Sequence, residues 1–493
     1  MHLRIAALAV FSLAVLPGLA QTPPIGAGRQ LGSAPLVIRK HFTPTDRAGS
    51  RYQYVPFEVP TGVSRMRISY TYNQEGGNTI ELGLFEPGPL TFGTPAFRGW
   101  SGRERETIEI GEEWSSPGYR TGPVRQGQWN VALGLYRVGE SGVDVTVIVQ
   151  LNPPESLAPT PVSVNTRAAS STQTTTESGA AEWWHGDLHV HTEHSDGKHP
   201  VAEVAKLAVA SGLDFIIVTD HNNTTHRRDL AGIRAPLVLS GEEVTTPGGD
   251  ANVWGVGPDD WFDFRLMPGA PHLDDVVQGA HARGALFSIN HPFISGDECA
   301  WTHAVPASLD ALEVWNGPLG PQQEAVAMWE KLLQGGRHVT GVASSDWHHG
   351  PEAPIGAGSV RVFADSLAQA PLLDGIRKAH VIMMRDAAAP APHVVARAAG
   401  RQAGVGDTLE VQSGETVTID VAVDSFVSPG TAGCPEACRA DLIVSTGRRI
   451  SEPLGGGSAT FTLQLPGDAY VRLEISAGST ILAMTNPIWL HAR

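Results

Sequence analysis

Residues 186 to 200 read GDLHVHTEHSDGKHP, which sets histidine at 189, 191, 194 and 199 and aspartate at 187 and 196. On a strand, side chains two residues apart leave from the same face, so His189 and His191 can grip a single ion. Asp346-Trp347-His348 repeats that spacing with a carboxylate and an imidazole. His221 follows the run FIIVTD, Glu243 follows LVLSGE and His291 follows ALFSIN. Imidazole nitrogen and carboxylate oxygen are donors that zinc, manganese and iron accept. Any one of these histidines alone reads as a solvated or hydrogen-bonded side chain. A whole series at the ends of successive apolar runs does not, because burying such groups unpaired is costly.

The segments that must hold these residues alternate between strand-like and helix-like. Candidate strands are LHVH (188–191), FIIVTDH (215–221), LVLSGEE (237–243), ALFSINH (285–291), ALEVWNG (311–317), VTGVASSDWH (339–348) and VIMMRD (381–386). Between several of them lie amphipathic helices: VAEVAKLAVASG stops at Gly212, HLDDVVQGAHARG at Gly284 and QQEAVAMWEKLLQGG at Gly335-Gly336. Such alternation predicts parallel βα units. Seven candidate strands point to a closed or nearly closed barrel, whose strand ends meet on the face where active sites form.

The remainder of the chain has a different texture. At 493 residues it exceeds what one core supports, so several domains are expected. Residues 34–151 show short alternating runs such as MRISYTY, TIELGLF and DVTVIVQL between Gly, Pro and Asn clusters, an antiparallel β domain. A Pro/Ser/Thr-rich linker over 152–180 lacks the apolar residues for a core. The barrel region is assigned to 181–389. Over 390–493 short strands return (TVTIDVAV, ADLIVSTG, ATFTLQL, YVRLEIS), a second β-sandwich-like domain. Residues 1–20 have the form of a signal peptide: Arg4, an apolar stretch from Ile5 to Leu16, then Gly18-Leu19-Ala20. A periplasmic or secreted protein that begins near Gln21 is the expectation, with an uncleaved anchor as the alternative. The apolar stretch is short for a bilayer span, and no second one of spanning length follows. Lys and Arg total 35 against 51 Asp and Glu, a net charge of −16 that disfavours nucleic acid as a partner. Cys434 and Cys438 are spaced for a small disulfide loop or stand as two thiols, and Cys299 has no evident partner.

The motifs HVH, SDG, TDH, GEE, NHP and SDWH, in that order, resemble those of the PHP (polymerase and histidinol phosphatase) superfamily, over about Trp183 to Asp386. The resemblance is nearest to the branch that includes carbaryl hydrolase, and FRGWSGRERETIEI and PGYRTGPVRQGQWNVALGLY resemble the β domain preceding the barrel there. It implies a distorted seven-stranded β/α barrel of the PHP type between the two β domains. It also implies two or three divalent ions (Zn, Mn or Fe) on His189, His191, Asp196, His221, Glu243, His291, Asp346 and His348, with Glu243 as the bridging carboxylate and Glu242 on the opposite strand face. Where relatives carry histidine after the Glu strand, this chain reads PGGDANVWGV. Asp250 or Asn252 then fills the role, or one subsite is altered, and aspartate would harden it toward oxygen-preferring ions. His194, His199 and His349 flank the motifs as bystanders or supports. Asp187 and Asp220 either orient neighbouring histidines through the second ring nitrogen or stand as exposed loop carboxylates.

Divalent ions lower the pKa of coordinated water to about 7, so no serine or cysteine nucleophile is needed. No G-x-S-x-G elbow occurs in the barrel region. His348 or His349 could protonate the leaving group. Arg227, Arg228 and Arg385 follow strand ends and could meet an anionic substrate, or are plain surface arginines. The leading expectation is an exported metal-dependent hydrolase acting on a small-molecule ester, with phosphoester cleavage as the superfamily's commonest chemistry. The second keeps the metals and cleaves a carbamate or carboxylic ester. The third is a surface protein with a degenerate barrel whose β domains bind glycan or a partner, against which the nearly complete ligand set argues.

Overall fold

The computed structural model describes residues 34–91, 94–159, 181–257, 260–269, 273–294, 299–350, 353–423, 438–464 and 467–493. The expected signal peptide, most of the expected linker and Cys434 lie outside them. Cys438 is buried and disulfide-bonded. No described helix is long and apolar enough to cross a membrane.

The central region runs β1 (Glu182–Val190), α1 (Val201–Ala210), β2 (Phe215–Val218), β3 (Leu237–Thr246), β4 (Gly249–Trp254), α2 (Leu273–Ala282), β5 (Leu286–Ile289), β6 (Ala311–Asn316), α3 (Gln323–Gln334), β7 (Thr340–Ser344), β8 (Ser359–Ala364), α4 (Gln369–Arg377) and β9 (Val381–Met384). β2, β4, β5, β7 and β9 are buried at every position, as strands covered on both faces must be. The helices bury one stripe each. On α1 it is Val201, Val204, Ala205 and Ala208, and on α2 Leu273, Val276, Val277 and Ala280, both at helical spacing. Trp329 of α3 reaches the sheet through Gly341 of β7, where a Cβ would come within 2.7 Å of the indole. Only glycine permits that approach.

The hydrogen-bonded order is β7-β6-β5-β4-β3-β2-β1-β8-β9. β1, β2 and β3 are parallel, as are β5, β6 and β7. β4 lies antiparallel to both β3 and β5. Among the described residues the ladders follow an unclosed path, so a closed seven-stranded barrel is not shown by them. One isolated parallel bridge links Val190 at the end of β1 to Trp347 beyond β7, with His191 N donating to Trp347 O at 2.9 Å.

Three strands depart from the sequence reading: β8, which lies in no candidate segment, β4 and β9. β4 falls in PGGDANVWGV, where Gly, Asp and Asn signal a turn. A turn there is confined to Pro247-Gly248, and Gly249 opens the strand at φ 114°. The expected strand at 381–386 does exist as β9. It runs antiparallel to β8 and to Thr480–Thr485 of the C-terminal region, so it joins the two regions and does not complete the parallel set. Its Ile382 and Met384 sit in the C-terminal core with Val417, Ile419, Leu473 and Ile475.

The N-terminal region packs two four-stranded antiparallel sheets face to face around Met66, Ile68, Leu82, Trp129 and Val131. Its outer face does not end at solvent. Phe85, Phe97 and Trp100 enter the same core as Trp254, Trp261 and Phe264 of the central region. Trp100 meets Phe264 at 4.8 Å and Phe97 meets Trp261 at 4.5 Å between ring centroids.

Candidate metal centre

Several donors sit where the backbone leaves its strand, whereas His189 and Glu243 lie within β1 and β3. Asn222 after β2, His291 after β5 and Asp346 after β7 all have left-handed φ, at 52°, 22° and 51°. Non-glycine residues hold such values only when their surroundings impose them, and such strain gathers at functional sites.

Eight of the nine sequence-predicted ligands come together. Donor atoms within 4.8 Å of one another form three groups: His191, Asp196, His221 and His348; His189, Glu243 and His291; and His189, His191 and Asp346. His189 and His191 each belong to two groups, so neighbouring ions would share the cluster. Glu243 occupies the middle. Its Oε1 lies 3.2 Å from His189 Nε2 and 3.4 Å from His291 Nε2. Its Oε2 lies 2.9 Å from His221 Nδ1 and 3.4 Å from His191 Nε2. Asp346 Oδ1 sits 3.1 Å from His191 Nε2, and Asp196 Oδ2 sits 3.2 Å from His348 Nε2.

Burial opposes charge throughout, yet opposite charges prevail at several positions. Asp346, Glu243 and Glu313 hold the His189 ring well above the usual histidine range despite that burial. Glu243 is held well below the usual carboxylate range by His189 and His221. His191 is lowered by burial and by His348 and His221. His291 Nδ1 is buried without a hydrogen-bond partner, and His189 Nε2 and Glu243 Oε2 meet only the facing groups of the cluster. Buried polar atoms are ordinarily satisfied, and donors of this kind at this spacing fit divalent ions.

Asp250 stands apart from the three groups. It lies on β4, buried, with Oδ1 lacking a hydrogen-bond partner, and burial and the charge of Glu243 push its carboxyl up to about 7. Asn252, on the same strand face, is buried with both amide atoms in the same state. The catalytic candidate His349 is exposed and outside the groups, whereas His348 is inside. His194 is buried between Thr225 and Asp229, at 2.7 Å from each, and His199 stacks on Trp347. Glu242, on the far strand face, accepts from Phe262 N at 3.1 Å.

The orienting groups differ from those expected. Asp187 accepts from Ser345 N at 3.1 Å and Gly356 N at 3.0 Å, tying β1 to the segment after β7. Asp220 accepts from Thr192 N and Oγ1 and from Ser195 Oγ, and pairs with His226 at 2.9 Å, so it shapes the loop between His191 and Asp196. The ring partner of His189 is Glu313 on β6, 3.2 Å from Nδ1. Glu313 also accepts from His291 N at 2.7 Å and Asn316 Nδ2 at 3.1 Å. Sequence reasoning passed over it, although a lone carboxylate inside ALEVWN signals a buried charge in need of partners.

The candidate arginines serve structure. Arg228 donates to Tyr119 O and Ser115 O of the N-terminal region at 3.0 Å, Arg227 donates to Val256 O at 2.7 Å, and Arg385 pairs with adjacent Asp386 at 2.9 Å. A cavity of about 240 Å³ opens on Asp196, His221 and Asp250, and the N-terminal region supplies part of its wall, including Glu81, Trp100, Arg103 and Tyr136. A larger cavity of about 520 Å³, between the end of α3 and the C-terminal strands, contains none of the donors.

Residues 187–285 match the family model of the PHP domain, a span holding His189, His191, Asp196, His221, Glu243 and Asp250. No curated protein matches the chain. Among solved structures, a two-domain protein from Bacteroides vulgatus containing a predicted PHP-like metal-dependent phosphoesterase is similar at 17% identity and a TM-score of 0.35, over 62% of this chain and 96% of that one. A candidate metal-dependent phosphoesterase from Bifidobacterium adolescentis is similar at 15% identity and a TM-score of 0.25, over 35% of this chain and 90% of that one. An amidohydrolase from Chromobacterium violaceum is similar at 16% identity and a TM-score of 0.26, over 35% and 89%.

Proposed function

We propose that this protein is an exported metal-dependent hydrolase that cleaves a small phosphoester. The observation that carries the reading is the sharing of His189 and His191 between adjacent donor groups, with Glu243 between them. The PHP-domain match over this region supports it. Divalent ions in such a site activate water near neutral pH and offset charge on the group under attack. The chain's own part is to fix the donors: Glu313 holds His189 through Nδ1, and Asp220 holds the loop bearing Asp196. His348, 29% exposed and 3.2 Å from Asp196, serves either as a metal donor or as the group that holds a proton for the leaving group, not as both at once. We read β1 to β7 as a distorted barrel, supported by the Val190–Trp347 bridge. Export rests on the form of residues 1–20.

A second reading keeps the cluster and assigns a carbamate or carboxylic ester. Arg103 is the sole Lys or Arg among the described residues lining the cavity, so no multi-arginine phosphate clamp is present there. The test is kcat/KM on aryl phosphate, phosphodiester, carbamate and acetate with one leaving group, before and after chelation and reloading with zinc or manganese. The phosphate should be preferred and chelation should abolish turnover. More than a tenfold preference for carbamate or acetate, about 1.4 kcal/mol in transition-state binding, sinks the phosphoester reading and leaves the metal site standing.

A further inference from the structure

We propose that the N-terminal β region is the specificity element of this site, and that Arg103 receives an anionic group carried by a small substrate away from the ester being cleaved. The inference rests on the hydrolase reading and adds the part of the substrate that the metal cluster does not read.

The strand Phe97–Gly102 and the residues that follow it form the cavity wall facing Asp196, His221 and Asp250. That wall is fixed in place. Thr225 Oγ1 accepts from Gly118 N at 3.0 Å, and a Cβ at Gly118 would come within 2.6 Å of Trp100 O and 3.0 Å of His194 O. Arg228 donates to two carbonyls of the N-terminal region, and Arg265 donates to Leu90 O at 3.0 Å. Lys198, from the loop after Asp196, pairs with Glu104 at 3.1 Å. Together with the shared aromatic core, these contacts make the wall a permanent part of the site.

Among the described residues of the wall, Arg103 is the sole Lys or Arg, beside the carboxylates of Glu81 and Glu104. Its ion pair with Glu104 spans 3.9 Å, while Glu104 is held more closely by Lys198, and the Arg103 side chain is 68% exposed. Its guanidinium is therefore available to a ligand carboxylate or phosphate, which it can bind in a planar, two-point fashion. Arg103 lies on the N-terminal wall of the cavity and every donor group lies on the central region, so the anion assigned to it is one held at the wall and not the ester at the donors. Tyr136 and Trp100 add aromatic surface to the same cavity. At about 240 Å³ the cavity is smaller than the roughly 300–1,000 Å³ usual for small-molecule sites. A compact ring bearing one acidic substituent suits it.

The test uses the full chain loaded with zinc, and 4-hydroxybenzoate and phenol as probes of the leaving-group site. Calorimetric affinities are compared between the wild type, Arg103→Gln and Arg103→Lys. In parallel, KM and kcat are compared for esters of the two phenols, of whichever class is cleaved fastest. The wild type should favour 4-hydroxybenzoate by roughly tenfold, the scale of one charge-assisted pair. Arg103→Gln should bring that ratio near unity, chiefly through KM, and Arg103→Lys should restore part of it. An equal affinity for both probes in the wild type, or an unchanged ratio in Arg103→Gln, overturns the assignment. Retained discrimination in binding without turnover of any ester overturns the hydrolase reading instead and leaves the Arg103 site in place.

Discussion

Glu313 Oε1 lies 3.2 Å from Nδ1 of His189, whose opposite nitrogen, Nε2, is 3.2 Å from Glu243 Oε1. The imidazole is thus held from behind by one carboxylate while it presents its other nitrogen to the cluster. Groups that orient a metal-bound histidine in this way typically contribute 10- to 100-fold to metal affinity. Glu313→Gln should therefore weaken zinc retention by roughly that factor, measured by competition with a chromogenic chelator. Unchanged affinity would make Glu313 a packing residue only.

Glu243 faces four histidines, whereas Asp250 lies outside every donor group. Glu243→Ala should lose at least one ion per chain by elemental analysis of the purified protein, and Asp250→Ala should lose fewer. The reverse ranking would move the centre of the site toward β4.

Metal removal should also lower stability. Binding to the folded state alone stabilises by mass action, about 4 kcal/mol when free metal is 1,000-fold above Kd. Chelation should lower Tm by several degrees, and zinc or manganese should restore it. A Tm indifferent to chelation and reloading would speak against resident ions.

His185 on β1 gives a pH dependence separate from the cluster. Burial and the nearby Arg361 charge push its ring down from 6.5 to about 4, and Nε2 lies 2.8 Å from Ser359 Oγ. The unfolded chain takes up the proton first as pH falls. The neutral ring therefore contributes fully above pH 6.5, and its contribution is lost between there and about 4. The loss approaches roughly 3 kcal/mol. His185→Gln should flatten the acid limb of urea-unfolding stability over this window. Superimposable limbs would remove His185 as its source.

The donors and their ends of the chain were legible in the sequence because the signals are local. Apolar runs such as FIIV and LFSI mark buried strands, and the next polar residues are those a sheet leaves at its edge. Alternation on one strand paired His189 with His191, and helical spacing located α1 to α3. What the tertiary structure alone decided lies in contacts between distant segments. Glu313 meets His189 across 124 residues, and Lys198 meets Glu104 across 94. No local pattern records such a meeting. β4 was hidden by its turn-forming residues, because its pairing with β3 and β5 outweighs their weak strand propensity. β9 has strand character in the sequence, but its direction and sheet neighbours follow from the C-terminal strands that pair with it. The wall carrying Arg103 follows from the docking of one region on another, where packed aromatic rings bring a surface loop to the metal cluster.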